Sequence, residues 1–494
     1  MKKLIIILML FIATAAAVNT VSSQQLNFPL DTLIKDSNYN YRSLIKFDTQ
    51  GYLHLVNSSQ FSTQSNTREI FYWTNKSGTF VKTKLTNNSI DDNYAIHDFD
   101  KDGKVHIGWE RRDAGNNFQL IYTNNRNDSS VFIEPIWITT GGVNKATPFM
   151  CAGKKDSLVH FVYYTFVNSV VDYAYYRNYN YVTGTLSQEY QMGIAETGSE
   201  NDIECVADTN GVVHIVYTTN SSASSPYALK YYTFSNGVLT EKPTGVNSNA
   251  EYPSICLDSK TNSVHVLYRH SSERRVYLLT MNSTGVFTTP YPVTASGLGY
   301  PSYWRGFDVD ETGRVYFTFQ NSNATAPKGF FLVHGQPGGT FSDPILIWED
   351  AVNYLGKGSS SVTAKGNGDI AIAFDPTASR FGTVASDIFI KKGILTISGI
   401  EENPGVVSDY SLKQNYPNPF NSTTTFEFQV PRLSAVKVSV FDIRGNEVDV
   451  IFNKEMQAGV YKYSYNAGKL SSGVYFLTLK AGSFTETRKM LLVE

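Results

Sequence analysis

The chain has 494 residues, with 42 Lys and Arg against 44 Asp and Glu and a formal net charge of −2. That length exceeds one ordinary domain and suits a large repeat domain with a small module attached. The near-neutral balance offers no basic field for nucleic acid, and no basic run lies outside the N-terminus. Tyr, Thr, Val and Asn dominate, helical periodicity is nearly absent, and the chain reads as strands and turns.

Residues 1–23 carry a basic start (Lys2, Lys3), an apolar run from Leu4 to Ile12, and small residues at Ala13 and Ala15 to Ala17. This is the pattern of a secretory signal peptide, with an apolar core too short to span a bilayer. No later stretch is apolar enough for a transmembrane segment in the mature chain. Phe28 to Ile34 looks like the outer-strand segments Asp343 to Trp348 and Pro290 to Val293. It is expected to be the outermost strand of the last repeat, supplied by the mature N-terminus.

A short motif then recurs. Asp48-Thr-Gln-Gly-Tyr-Leu-His54 returns as Asp100-Lys-Asp-Gly-Lys-Val-His106 and Asp208-Thr-Asn-Gly-Val-Val-His214. Further copies end at His160 and His265, and weaker ones at Tyr316 and Ala371. The steps between these positions are 52, 54, 54, 51, 51 and 55 residues. In four copies, beginning at Asp48, Asp100, Asp208 and Asp310, an Asp-x-x-Gly turn, where Gly accepts positive φ, precedes a strand that is apolar on both sides. Such strands suit sheets covered on both faces. A period of about fifty residues made of short strands predicts an all-β, seven-bladed β-propeller over 24–398, one blade per copy. The linker 399–409 follows, and 410–494 reads as a small immunoglobulin-like β-sandwich.

Five of the histidines, His54, His106, His160, His214 and His265, share the repeat position. Equivalent side chains in separate blades do not meet at one substrate, so these are expected to be structural and hydrogen-bonded between blades. Cys151, Cys205 and Cys256 each precede their histidine by nine residues. One shared position in three blades keeps them too far apart for disulfides or a common metal, and buried filler is the expected role. Asp98, Asp100 and Asp102 are spaced like the start of a calcium loop, but Trp109 stands where the closing acid belongs. A plain turn is the alternative to calcium, and no other cofactor is indicated.

Loops entering the first strands and leaving the second strands of a propeller gather on one face. There the register places Arg42, Tyr94, Arg111, Arg269, His270, Trp304 and Arg305 as candidate ligand-binding residues. Arginines grip carboxylates in two-pronged fashion, and aromatic rings stack on sugars or cations. The bland alternative is a solvated rim with local salt bridges.

In the final module, Gln414-Asn-Tyr-Pro-Asn-Pro-Phe-Asn421, Thr423-Thr-Thr-Phe426, Gly473-Val-Tyr-Phe476 and Lys489-Met-Leu-Leu492 resemble the type A C-terminal sorting domain of the type IX secretion system. Its core motif is Asn415, Tyr416, Pro417, Asn418, Pro419 and Phe420; Ser422 departs from the usual Pro. The resemblance implies Sec export, then passage through the type IX machinery to the surface or medium of a Bacteroidota-like cell. More loosely, and without its Asp box, the repeat domain resembles the sialidase-like (BNR-repeat) superfamily.

A sialidase on this frame needs converging arginines, a Tyr with a supporting Glu, and an acid; a polysaccharide lyase needs a base–acid pair beside an Arg, for which Arg269 and His270 are the candidates. With no such catalytic set evident, the expectation is a non-enzymatic exported binding module for a glycan or a surface protein. A carbohydrate-active enzyme is the alternative.

Overall fold

The computed structural model describes residues 25–34, 39–60, 67–127, 131–167, 171–194, 203–219, 227–282, 284–297, 300–301, 306–321, 329–349, 360–374, 388–396, 401–403, 410–431, 434–456, 459–468, 470–482 and 484–493. Residues 1–23, expected to be a signal peptide, lie outside them. Contacts divide the chain into a large unit, Asn27–Ile394, and a small one built mainly on Leu395–Glu494. Among the described residues the fold is all-β, and no helix is long and apolar enough to cross a membrane.

The described residues of the large unit form seven antiparallel sheets. The first comprises Tyr39–Phe47, Leu53–Gln60, Arg68–Thr74 and Val81–Lys84; the second Asp92–Phe99, Val105–Arg112, Phe118–Asn124 and Ile136–Trp137. In the first six sheets the hairpin between first and second strands is set by an Asp, and in the seventh by Gly366–Gly368. Asp48 Oδ1 accepts the N–H groups of Gln50 (3.0 Å) and Tyr52 (2.9 Å), and Gly51 sits at φ 90°. In the seventh sheet the order is Ser360–Lys365, Asp369–Phe374, Ile388–Thr396 and then Gln25–Ile34, so the N-terminal strand lies outermost.

The first strand of each sheet lies against that of the next, and Ser360–Lys365 lies back against Tyr39–Phe47. Side chains fasten these junctions. Asp98 accepts Ala152 N–H at 2.9 Å, Glu204 accepts Ile255 N–H at 2.9 Å, and Asp308 accepts Ala364 N–H at 3.0 Å. Ser361 and Thr363 accept the N–H groups of Ile45 (3.0 Å) and Phe47 (3.2 Å), tying the seventh sheet to the first. Apolar clusters fill the gaps: Leu44, Val56, Ile107 and Trp109 between the first and second sheets, and Ile45, Leu55, Ala371 and Ile390 between the first and seventh. A sheet buried on both sides needs no polar face, and Val213–Thr219 is buried at every position but its last.

One sequence-based equivalence fails. Cys151 and Cys256 stand directly across from His160 and His265, but Cys205 stands across from Ile215. The fourth sheet's first hairpin pairs Val206 with His214, a shorter connection that shifts the register by one residue. The offset of nine therefore does not mark one structural position. All three thiols are buried and unbridged.

The small unit has two four-stranded sheets around one core. One sheet is Ser411–Leu412, Thr423–Val430, Gly459–Asn466 and Glu401–Asn403; the other is Glu447–Met456, Ser434–Phe441, Gly473–Ala481 and Phe484–Leu492. Here alternation is strict: Thr424, Phe426, Phe428 and Val430 point inward and the residues between them outward. Glu401–Asn403 falls in the stretch expected to be linker. Its polar residues suit the edge strand it forms, because an edge faces water on one side.

Candidate functional site

The repeated histidines are buried and bonded within their own sheets, not between sheets as expected. The hydroxyl of Tyr72, Tyr122, Tyr176 or Tyr231, on the third strand, donates to Nδ1 of His54, His106, His160 or His214 respectively. His265 instead meets Thr280 Oγ1 at 2.9 Å. On the other side His54 Nε2 reaches Asp48 Oδ2 at 3.2 Å, and His106 Nε2 lies 3.3 Å from Asp100. Burial pushes His54 and His265 down to about 4 and His160 to about 3, so these rings are neutral at physiological pH. For Asp100, burial acts upward but is outweighed by His106 and the turn N–H groups, which hold it at about 2. Asp, His and Tyr thus form a turn-to-strand brace, repeated around the unit, that is structural.

A different feature repeats at the opposite end of the first strands. Each of four sheets has a bulge there, two residues facing one. Arg42 and Ser43 oppose Asn57, Tyr94 and Ala95 oppose Trp109, Thr147 and Pro148 oppose Tyr163, and Tyr252 and Pro253 oppose Tyr268. The first residue of each bulge is left-handed: Arg42 and Tyr94 at φ 56°, Thr147 and Tyr252 at 51°. Such a conformation costs a non-glycine residue on the order of 1–3 kcal/mol and re-aims its side chain.

The first three bulges bring a charged cluster together. The guanidinium of Arg42 lies 3.4 Å above the centre of the Tyr94 ring. Glu110, at the end of its strand and 2% exposed, accepts the N–H of the left-handed Thr147 at 3.2 Å. Burial pushes Glu110 up to about 7 despite the fields of Arg42 and Arg68. Near it, Arg68 grips Asp91 through Nε (2.8 Å) and Nη2 (2.6 Å); on the other face of the Glu110 strand, Arg111 grips Asp92 at 2.6 and 3.0 Å. Trp109 Nε1 donates to the same Asp92 at 2.7 Å. The cluster holds a carboxyl poised to give or take a proton beside a cation on an aromatic face.

Of the residues singled out from sequence, Arg42 and Tyr94 belong to this cluster; Arg111, next to Glu110 in the strand, turns to the other face, where Asp92 holds it. Arg269 and His270 lie in the fifth sheet. Arg269 is buried and paired with Glu251, whereas His270 is half-exposed, 3.8 Å from Glu273. Consecutive strand residues face opposite ways, so these two do not form a base–arginine pair. Trp304 and Arg305 lie outside the described residues. Glu110, Arg68 and Asp91 were not among the candidates named from sequence. The signal was there in part: Glu110 breaks the apolar run Val105 to Trp109, and Asp91-Asp92 introduces the strand bearing Tyr94.

The three calcium-loop acids have separate tasks. Asp98 carries the ion pairs with Lys46 and Lys154, Asp100 caps its turn through the N–H groups of Asp102 and Lys104, and Asp102 pairs with Lys101 at the surface. Among the described residues no three His, Cys, Asp or Glu side chains group as a metal site.

Residues 414–494 match the family described as the secretion system C-terminal sorting domain. The protein is accordingly exported by the type IX secretion system to the cell surface or extracellular space. No curated protein matches the chain. Among solved structures, a Dyadobacter fermentans protein of unknown function is similar at 10% identity and TM-score 0.48, covering 75% of this chain and 99% of its own. A Hadza microbial sialidase is similar at 9% identity and TM-score 0.40, covering 70% and 77%. An α-L-arabinanase of Penicillium chrysogenum, complexed with arabinobiose, is similar at 9% identity and TM-score 0.43, covering 76% and 99%.

Proposed function

We propose that the large unit is a seven-bladed β-propeller, that the small one is an immunoglobulin-like sandwich, and that the exported propeller is a non-enzymatic binding module for a glycan. The closed succession of first strands supports the blade count, and two four-stranded sheets on one core support the sandwich. The observation that carries the binding reading is the cluster of Arg42, Tyr94 and Glu110, positioned by left-handed residues at three adjacent bulges. Strain held in place by its surroundings is typical of ligand sites. An arginine beside a ring and a carboxyl suits a ligand rich in hydroxyl and acidic groups.

Titration of the mature chain with glycans drawn from an array, neutral and uronate-containing, tests this. Arg42→Ala is expected to weaken binding about tenfold or more. A blank array, with Arg42→Ala equal to wild type against every ligand, refutes the reading. The observation favouring an enzyme is Glu110 near 7, where a general acid or base works best. Glycoside or uronate turnover by the wild type that Glu110→Gln abolishes would establish that activity in place of simple binding.

A further inference from the structure

The match to the sorting family explains what the small unit is for, without indicating which surface the secretion machinery reads. Within Asn415 to Phe420 the side chains divide by direction. Asn415 is buried and donates to Thr424 Oγ1 at 2.9 Å and to the Pro417 carbonyl at 3.1 Å. Asn418 donates to the Lys489 carbonyl at 3.0 Å and accepts Leu491 N–H at 2.8 Å. Phe420 is 2% exposed, and its backbone bonds to Leu491 O (3.0 Å) and Val493 N (2.9 Å). Asn418 and Phe420 clamp the segment to the end of the chain, and Asn415 ties it to the strand Thr423–Val430.

Tyr416 does the reverse. It is 82% exposed, the most exposed of the large hydrophobic side chains among the described residues. Its backbone exchanges hydrogen bonds with Thr425 at 2.7 and 2.9 Å. Thr424 and Phe426 point into the core, so Thr425, and Tyr416 beside it, face outward. The surrounding face is polar, with Lys413 and Glu427 ion-paired on it. Pro417 and Pro419 are exposed and offer no N–H that would otherwise need a partner.

A lone exposed aromatic is unremarkable by itself. This one is fixed on both sides by a buried clamp, and it lies within the stretch that matches the sorting family. Tyrosine is a common anchor at interfaces because it brings a large rigid surface and a polar tip. We propose that Tyr416, held out by Asn415, Asn418 and Phe420, is the anchor by which a protein component of the type IX machinery grips this chain. The partner surface is an apolar pocket that admits a phenol ring. This inference rests on the sorting-family match and is independent of the ligand reading of the large unit.

The test uses the full chain expressed in a cell with a type IX system, with surface and medium scored against the periplasm. Tyr416→Ala is expected to reduce export about tenfold or more, while the melting temperature of the purified chain stays at the wild-type value. Tyr416→Phe, which keeps the ring, is expected to restore most of the export. Ile443→Ser, altering a 72% exposed residue on a turn of the other sheet, is expected to export normally. Wild-type export of Tyr416→Ala overturns the proposal, as does its loss of folded protein. An equal defect in Ile443→Ser overturns it too, because the contact would then not be local to Tyr416.

Discussion

Two turns, one in each unit, are built alike and end differently. In Asp100-Lys-Asp-Gly103-Lys104, Gly103 N–H bonds back to Asp100 O at 3.0 Å, and Oδ1 of Asp100 accepts two N–H groups at 2.9 Å. In Asp442-Ile-Arg-Gly445-Asn446 the same bonds measure 3.0, 2.8 and 2.9 Å. Local chemistry thus writes the same turn twice. The second carboxylate oxygen separates them: in Asp100 it is buried against His106, in Asp442 it is exposed and takes the Asn446 amide at 2.9 Å. The turn is a property of the segment; whether its carboxylate braces a core depends on what packs over it. The contrast extends to the units, because all eight histidines lie before residue 335 and the small unit has none.

The largest expected effect breaks the two units apart by pH. A histidine whose folded pKa is depressed stabilises the fold above its unfolded value near 6.5, and that stability is lost as pH falls toward the folded value. For His54, at about 4 when folded, the loss is on the order of 3 kcal/mol by pH 4. His160, His265 and His334 are depressed in the same way by burial. Hydrogen exchange on the full chain at pH 7 and pH 4.5 should therefore show Leu53–Gln60 and Ser263–His270 losing protection while Gly473–Ala481 keeps it. Parallel loosening of both units would sink the histidine account.

Glu110 has the opposite sign. Its folded value of about 7 lies above the usual 4.5, so the large unit loses stability as pH rises between them, by about 3 kcal/mol. Glu110→Gln should remove that slope, giving a relative gain at pH 7.5 over pH 5 in the denaturant midpoint of the large unit. An unchanged slope would place the proton elsewhere.

The turn comparison itself predicts a smaller, local difference. Asp100→Ala leaves His106 facing an empty buried position and is expected to cost about 2–3 kcal/mol. Asp442→Ala, whose carboxylate stands in water, should cost measurably less. Equal shifts in melting temperature would show that burial around Asp100 adds nothing.

Legibility in the sequence varied by feature, for physical reasons. The seven copies were readable because every sheet needs a tight turn followed by the same doubly buried strand. The outer position of Gln25–Ile34 was readable from its likeness to other outer strands. The cysteine equivalence misled, since a turn one residue shorter flips a strand's faces without changing the count from Cys205 to His214. Arg269 and His270 looked like a pair because they are adjacent in the chain, and pleating sends neighbours to opposite faces. The bulges were invisible: Arg42 and Tyr94 are not residues that favour positive φ, so no letter announced them.

By itself, the sequence determined the strand-and-turn content, the repeat and its period, and the export module with its Asn-Tyr-Pro-Asn-Pro-Phe signature. These depend on contacts within a few residues or on periodic patterning. Only the tertiary structure decided that Tyr hydroxyls within the same sheet partner the histidines, that Arg42 lies over Tyr94, and that Glu110 is buried beside Thr147. Those outcomes join groups on adjacent strands or on different sheets, where burial rather than local preference sets charge and geometry.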